Sequence, residues 1–395
     1  RSTMDTQQII KTEDDHQLPT YNKLPIALEK GAGRYVTDTD GNQYLDFYGG
    51  HCVTLLGHSP QRVIKAIQEQ ADTLIFYSNV VYSPIRAKAA KRITSLAPEG
   101  LRHVYFCNSG TEANETALKM ARTFTGKNDV VAMKAGFHGR TLGSLASTGI
   151  DKYRAPYLGI MPTTHFVSFG DIDELKTVLE SNEDVGAVII EPIQSMAGII
   201  EAPTSYYVQL RALCDAHHVA LIFDEVQTGV GRTGTFSISE QYGIQPDLIT
   251  MAKSLASGLP VGATFASDEI AKTVKPGDQG STFGGGMIAM AALNATLETI
   301  ETESLMNNAQ AIHARISAGL SDAVKEVRGR GCLIGVELHT PVAPVIKALR
   351  EKGVIVGGSM HPNVMRIMPP INSTESEVDT FVSVMKETVM ETVAT

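Results

Sequence analysis

The stretch VALIFDEVQTGVGRTG, residues 219–234, decides the fold. Its five leading apolar residues read as a strand buried on both faces, the mark of a mainly parallel sheet. Asp224 then stands at the strand's carboxyl end, where an ionised group is costly unless something pairs with it. The same stretch carries GVGRTG (229–234), a literal G-x-G-x-x-G. A dinucleotide fingerprint turns directly from strand to helix and finds an acid about 20 residues on. Here polar-leaning residues intervene, the downstream position falls near Lys253, and no helical apolar pattern follows. The segment reads as a flexible loop, and a nucleotide-binding oxidoreductase is set aside.

Outward from this strand, short apolar runs alternate with amphipathic stretches. The runs are HVYF (103–106), VVAM (130–133), GAVII (186–190), VALIF (219–223), LITM (248–251) and GATFA (262–266). The alternation predicts an α/β domain with a mainly parallel sheet. Residues 28–48 alternate around an Asp40-Gly41 turn and predict a hairpin. After about residue 285 come two long helical stretches, strands near 331–338 and 353–356, a segment at 363–368 and a last helix. The two ends together read as a smaller α+β domain. The expected division is 1–50 and 291–395 for that domain and 51–290 for the large one.

The 395 residues are 43% hydrophobic and 19% charged, ordinary for a globular protein. A net charge of −9 argues against nucleic acid or an anionic membrane as partner. Cys52, Cys107, Cys214 and Cys332 lack C-x-x-C spacing and read as reduced packing residues, with no metal site. The adjacent His217 and His218 lack the i, i+4 spacing of a zinc helix and read as a helix end. No run approaches the roughly 18 apolar residues of a membrane span. The N-terminus has no apolar signal core and is too acidic for a transit peptide, so a cytoplasmic location is expected. Arg1 to Thr3 read as a cloning remnant ahead of Met4.

In open α/β sheets, ligands bind outside the carboxyl ends of the strands. The residues there are Asn108-Ser109-Gly110-Thr111, Glu191, Asp224-Glu225-Val226-Gln227 and Lys253. NSGTEANETALKMAR (108–122) is a tight turn opening a helix, whose free N–H groups make an anion site. Taken alone, that motif reads better as an ordinary helix cap. Lys253, among small neutral residues, could be a nucleophilic amine, though by itself it reads better as a strand-end lysine reaching to solvent. Taken together, the phosphate-type turn, the buried acid and the lysine match pyridoxal 5'-phosphate. Its aldehyde needs a lysine, its phosphate a helix N-terminus, and its pyridine nitrogen a carboxylate that keeps the ring an electron sink.

With these residues in hand, the chain resembles the class III pyridoxal-phosphate aminotransferases, closest to the acetylornithine and ornithine aminotransferases. The resemblance runs from about Leu24 to the last helix. Its motifs are GRYVTDTDGNQYLDF, FCNSGTEANETALKMAR, AGFHGRTLGSL, IIEPIQ, IFDEVQTGVGRTG, ITMAKSLASGLPVGA and STFGGG. It implies a fold-type I homodimer with active sites at the subunit interface. Lys253 would carry the cofactor and act as the base in the proton shift, and Asp224 would bind the pyridine nitrogen. Val226 and Gln227 would lie beside the ring, Phe137 would stack on it, and Glu191 would sit near the reactive end. Ser109, Gly110 and Thr111 would hold the phosphate, joined by Thr282 from the other subunit. For substrate the resemblance implies Arg140, Arg366, Ser281, Tyr48 and His51, with Arg366 as the carboxylate fork.

Three departures fall near the substrate. Ser195-Met196 replaces a usual Gly-Glu whose acid can pair with the C-terminal arginine, so Arg366 is expected to stay available. Gly286-Met287 replaces Asn-Pro, and Tyr48-Gly49-Gly50-His51 lines the mouth of the pocket. The implied reaction moves the terminal amino group of N-acetylornithine, or a related ω-amino acid, to 2-oxoglutarate, ping-pong through pyridoxamine phosphate. Ornithine, 4-aminobutyrate or another ω-amine as donor is the alternative, as is an aminomutase or decarboxylating transaminase on the same fold.

Overall fold

The computed structural model describes residues 4–393. Arg1–Thr3, read as a cloning remnant, lie outside the described residues. Three strands open the fold: β1 (Leu28–Ala32), β2 (Tyr35–Asp38) and β3 (Gln43–Asp46), an antiparallel meander. The expected hairpin is therefore β2–β3, and β1 adds a third strand. Its Asp40-Gly41 turn is held from within, because the Asp38 carboxylate accepts from the amides of Asp40 and Asn42 and from the Tyr44 hydroxyl.

The large sheet is built from β4 (His103–Cys107), β5 (Asp129–Met133), β6 (Thr164–Val167) and β7 (Val185–Ile190), then β10 (Ala220–Asp224), β11 (Leu248–Met251) and β12 (Gly262–Ala266). Between β7 and β10, β8 (Ile193–Gln194) and β9 (Ile200–Glu201) pair as a small antiparallel ribbon. The sheet order is β4-β12-β11-β10-β7-β5-β6. Only β12 runs against its neighbours, antiparallel to both β11 and β4. All six apolar runs are strands. The seventh, β6, was not expected from sequence, because THFV is short and offers no continuous apolar run.

The buried-on-both-faces reading holds residue by residue. Ala220 and Ile222 pack with Ala117, Leu118 and Ala121 of the helix Gly110–Thr125, while Leu221 and Phe223 point to the opposite layer with Tyr207 and Leu210. Each fully buried Leu, Ile or Phe contributes roughly 1.5–3 kcal/mol, so the strand's register is strongly fixed.

Beyond the sheet lie the helices Met287–Thr302 and Leu305–Leu320. β13 (Glu326–Arg330), β14 (Leu333–Glu337), β15 (Val354–Ile355) and β16 (Val364–Ile367) follow, and the helix Glu375–Val393 ends the described chain. β13, β14 and β16 form an antiparallel sheet, whereas β15 pairs with β3. The two chain ends thus share one sheet. β13 was also unexpected, since EVRGR alternates charges along an edge.

The loop after β10 departs from expectation. GVGRTG is not helical, as read, but neither is it a flexible surface loop: residues 229–234 are buried and Arg232 is 0% exposed. Its guanidinium donates to the carbonyls of Cys332 and Pro369, which pins the loop beneath the C-terminal sheet. Among the described residues, no helix is long and apolar enough to cross a membrane. The four cysteines are free and buried.

Candidate active site

The carboxyl ends of β4, β7, β10 and β11 face one cavity of about 700 Å³. It is lined by Ser109, Gly110 and Thr111 from the first helix turn, by Phe137 and Glu191, and by Asp224, Val226 and Gln227 after β10. Lys253, Arg140, Arg366 and His51 line it as well. Three expected residues lie elsewhere. Tyr48 lines a neighbouring cavity, and Ser281 and Thr282 line a third beside Asn79 and Arg86. Ser281 is occupied locally, its hydroxyl accepting from the Asn108 amide at 3.0 Å and the Gly284 N–H at 2.9 Å.

Asp224 has partners on three sides. Its Oδ2 accepts from the Asn114 amide at 2.9 Å and from His138 Nδ1 at 2.8 Å, and its Oδ1 accepts from the Val226 N–H at 3.0 Å. Asn114 is itself fixed, donating to the His138 carbonyl and accepting from the Thr250 hydroxyl. A carboxylate has about four lone-pair positions, so these three donors leave room for one more, and Asp224 lines the cavity. Asn114 and His138 were not among the expected residues. A polar side chain on the inward face of the Gly110–Thr125 helix was the available signal for Asn114.

Lys253 follows β11 with φ +35 after an Ala252 at φ −161, ψ −130, a backbone that only a packed surround sustains. Its amine has no hydrogen bond or ion pair among the described residues. Burial lowers its pKa; Arg366 and Arg232 push the same way, and Cys52 and Asp224 oppose them. That favours a free, nucleophilic amine. Glu191 accepts from the Phe137 N–H at 2.8 Å, and burial lifts its carboxyl to about 7 against the pull of His138.

Arg366 is buried, and among the described residues no carboxylate lies within 4 Å of it. It donates instead to the Gly358 carbonyl at 2.6 Å, to Ser195 Oγ at 3.1 Å and to the Tyr48 hydroxyl at 3.4 Å. The serine thus takes a place beside the arginine without neutralising it. Arg140, at the rim, lies over the rings of Tyr153 at 4.3 Å and Phe137 at 5.8 Å.

The sequence model of the family described as aminotransferase class-III matches residues 17–389. The chain is a class III aminotransferase. It is 42% identical over 338 residues to the acetylornithine aminotransferase of Methanopyrus kandleri, covering 85% of this chain and 86% of that one. With the acetylornithine aminotransferase of Methanosarcina mazei the identity is 39% over 384 residues, covering 96% and 95%. Among solved structures, the ornithine aminotransferase of Toxoplasma gondii superposes with a TM-score of 0.93 at 26% identity, covering 100% of this chain and 97% of that one.

As a class III aminotransferase the protein depends on pyridoxal phosphate, and its own residues fit that group. The Gly110 and Thr111 N–H groups open a 16-residue helix and have no carbonyl of that helix to reach. The approach is glycine-dependent, since a Cβ on Gly110 would stand 2.9 and 3.0 Å from the Val226 methyls. Gln227 Oε1 and His138 Nε2 are buried without a partner, as expected around a polar ring. Two observations refine the phosphate site. The Ser109 hydroxyl makes the helix cap with Glu112, so the ordinary cap is present as well. Thr141 donates to Glu115, so the Thr111 hydroxyl gives its hydrogen to Thr141, and the backbone amides are the free donors.

Proposed function

We propose that the protein moves the terminal amino group of N-acetylornithine, or a related ω-amino acid, to 2-oxoglutarate in two half-reactions. The observation that carries this is one cavity holding an unpartnered lysine amine, a buried acid with one free lone pair, and a buried arginine with no acid beside it. Relatives named acetylornithine aminotransferase over most of the chain support the donor class.

Bound pyridoxal phosphate supplies an aldehyde and an electron-withdrawing ring. Asp224 offers its remaining lone pair to a ring N–H and keeps that proton in place, while Asn114 and His138 prevent the carboxylate from turning away. The first-turn amides of Gly110 and Thr111 hold the phosphate. Lys253 Nζ, kept unprotonated by burial, takes a proton from the substrate carbon and returns one. Arg366 holds the carboxylate of 2-oxoglutarate bidentately, and Arg140 at the rim meets the distal part of the donor.

The assembly is a homodimer in this reading. Exposed Phe76, in a segment with exposed Ile75, Val80 and Tyr82, meets exposed Phe283 at 5.4 Å, and Thr282 lines, with Val80, a cavity other than the main one. A second copy would cover that segment and bring its own Thr282 to this phosphate site. The cytoplasm is the proposed location, with no nucleic-acid or membrane partner.

Lys253→Ala tests the assignment. It should abolish both the visible absorbance of lysine-bound cofactor and steady-state turnover, and retained turnover would sink the reading. Adding amino donors singly without keto acid, and following loss of that band, ranks them. N-acetylornithine should bleach it fastest, and an inert N-acetylornithine beside a reactive 4-aminobutyrate would overturn the donor claim while leaving the cofactor claim standing.

A further inference from the structure

Arg366 and His51 line the cavity, and Tyr48, which lines the neighbouring one, links them from behind in a chain of contacts. Tyr48 Oη lies 3.4 Å from Arg366 Nη2 and 2.5 Å from His51 Nδ1. A guanidinium nitrogen can only donate, so the tyrosine oxygen accepts there, and among the described residues Nδ1 is the one acceptor in reach of its own hydrogen. Nδ1 is then the acceptor of a neutral imidazole, and the ring hydrogen sits on Nε2. We propose that His51 is a specificity-determining residue whose Nε2–H, set by Tyr48, is a second donor beside Arg366 for a carboxylate on the reacting carbon.

The strip that carries His51 is built to hold it. Gly50 and His51 have φ +56 and +73, a left-handed pair that the surroundings must enforce for a histidine. Asp46 enforces it by accepting from the Tyr48 and Gly50 amides at 3.1 and 2.8 Å, and His58 Nε2 contacts the same carboxylate at 2.8 Å. The Tyr48 and His51 rings meet edge to face at 5.0 Å. Desolvation in the cavity wall, with Lys253 and Arg366 adding, pushes the imidazole down to about 4, so it stays neutral at working pH and Nδ1 keeps its lone pair.

The substrate class follows. Ser195 Oγ is the neighbour of Arg366, and among the described residues no carboxylate lies within 4 Å of that arginine, so the arginine–histidine pair is available in both half-reactions. It selects amino and keto acids whose carboxylate adjoins the reacting carbon, L-glutamate and 2-oxoglutarate among them, over amines that lack one. This rests on the reading of the cavity as the transamination site.

The test is the half-reaction of the holoenzyme with L-glutamate, followed by bleaching of the visible band, in wild type, His51→Leu, His51→Gln and Tyr48→Phe. His51→Leu should raise the apparent KM by at least about tenfold, the scale of a hydrogen bond to a charged group, with the saturating rate within about threefold. His51→Gln, whose amide N–H can stand in for Nε2–H, should recover most of the loss. Tyr48→Phe should raise KM in the same direction and shift the His51 ring-nitrogen resonances from the Nε2–H tautomer, which keeps the proposal testable if His51→Leu does not fold. An unchanged KM in His51→Leu or Tyr48→Phe, or a Gln variant as impaired as the Leu variant, overturns the proposal alone. A wild-type protein without the visible band, or one whose band neither L-glutamate nor L-alanine bleaches, overturns the reading of the cavity and the proposal with it.

Discussion

Replacing Glu225 by Gln should stabilise the protein in alkaline solution and leave it nearly unchanged in acid. Glu225 is 0% exposed. Its Oε1 accepts from the Thr228 hydroxyl at 3.0 Å and the Ile238 N–H at 2.7 Å, and its Oε2 accepts from the Ser237 hydroxyl. No basic group among the described residues pairs with it, and burial lifts its carboxyl from 4.5 to about 7 against the pull of those three donors. The folded state therefore holds the proton more tightly than the unfolded chain. Between pH 4.5 and 7 it binds more protons, so stability falls as pH rises across that window; the full cost applies above about 7 and none below 4.5. At about 1.36 kcal/mol per pH unit, the gap amounts to at most about 3 kcal/mol. A glutamine keeps the acceptor for Thr228 and Ile238 and offers its NH₂ to Ser237, whose hydrogen can turn to the neighbouring Ser239 hydroxyl. Urea unfolding of the holoprotein, at one protein concentration and at pH 5 and pH 8, reads the effect. Glu191 titrates alike in both proteins and cancels from the comparison. Equal shifts at the two pH values, or a loss at pH 8, would refute the reasoning.

Two further substitutions separate site from scaffold. Asn114→Ala removes a donor from Asp224 and leaves the Thr250 hydroxyl and His138 carbonyl short of a partner, so it should cost about 1–3 kcal/mol of stability. It should also weaken cofactor binding about tenfold, read by titrating apoprotein with pyridoxal phosphate; a stability loss with unchanged cofactor affinity would show that Asn114 does not hold Asp224 for the cofactor. Gly110→Ala places a methyl against Val226 at 2.9 Å and should raise the cofactor dissociation constant by about tenfold or more, while Gly159→Ala, with nothing within 4 Å, should not change it.

Five of the six apolar runs became strands because they are buried on both faces, where composition alone carries the signal; HVYF is the edge strand β4, exposed or half-buried over His103–Tyr105. β6 and β13 lacked that signal, since edge strands tolerate polar and charged residues that erase the alternation. Lys253 and Asp224 were legible because a parallel sheet delivers its strand ends to one place. The partners of Asp224 were not, because Asn114 and His138 arrive from a helix face and a loop whose positions only tertiary packing sets. Tyr48 and Ser281 show the converse: the motif locates them near the site, but their hydroxyls are committed to His51 and Asn108, and neither lines the main cavity. The buried GVGRTG loop misled for a related reason. Three glycines and an arginine look solvent-exposed in a sequence, yet Gly231 and Gly234 take φ +93 and +102 so that Arg232 can reach two carbonyls inside the fold.

That arrangement bears on how the two halves of the site keep their spacing. Arg232 lies eight residues beyond Asp224 and donates at 2.7 Å to the carbonyl of Pro369, three residues beyond Arg366. One side chain therefore ties the loop that follows Asp224 to the segment just beyond β16, the strand that carries Arg366. Two of its nitrogens, Nε and Nη2, are buried without partners, a cost that an ordinary packing residue would avoid. A hydrocarbon could fill the same space but could not fix the distance between two backbones. In the proposed reaction spacing matters because the amine end of a substrate would have to meet Lys253 while its carboxylate meets Arg366, and misplacement by about 1 Å can cost on the order of a hundredfold in rate.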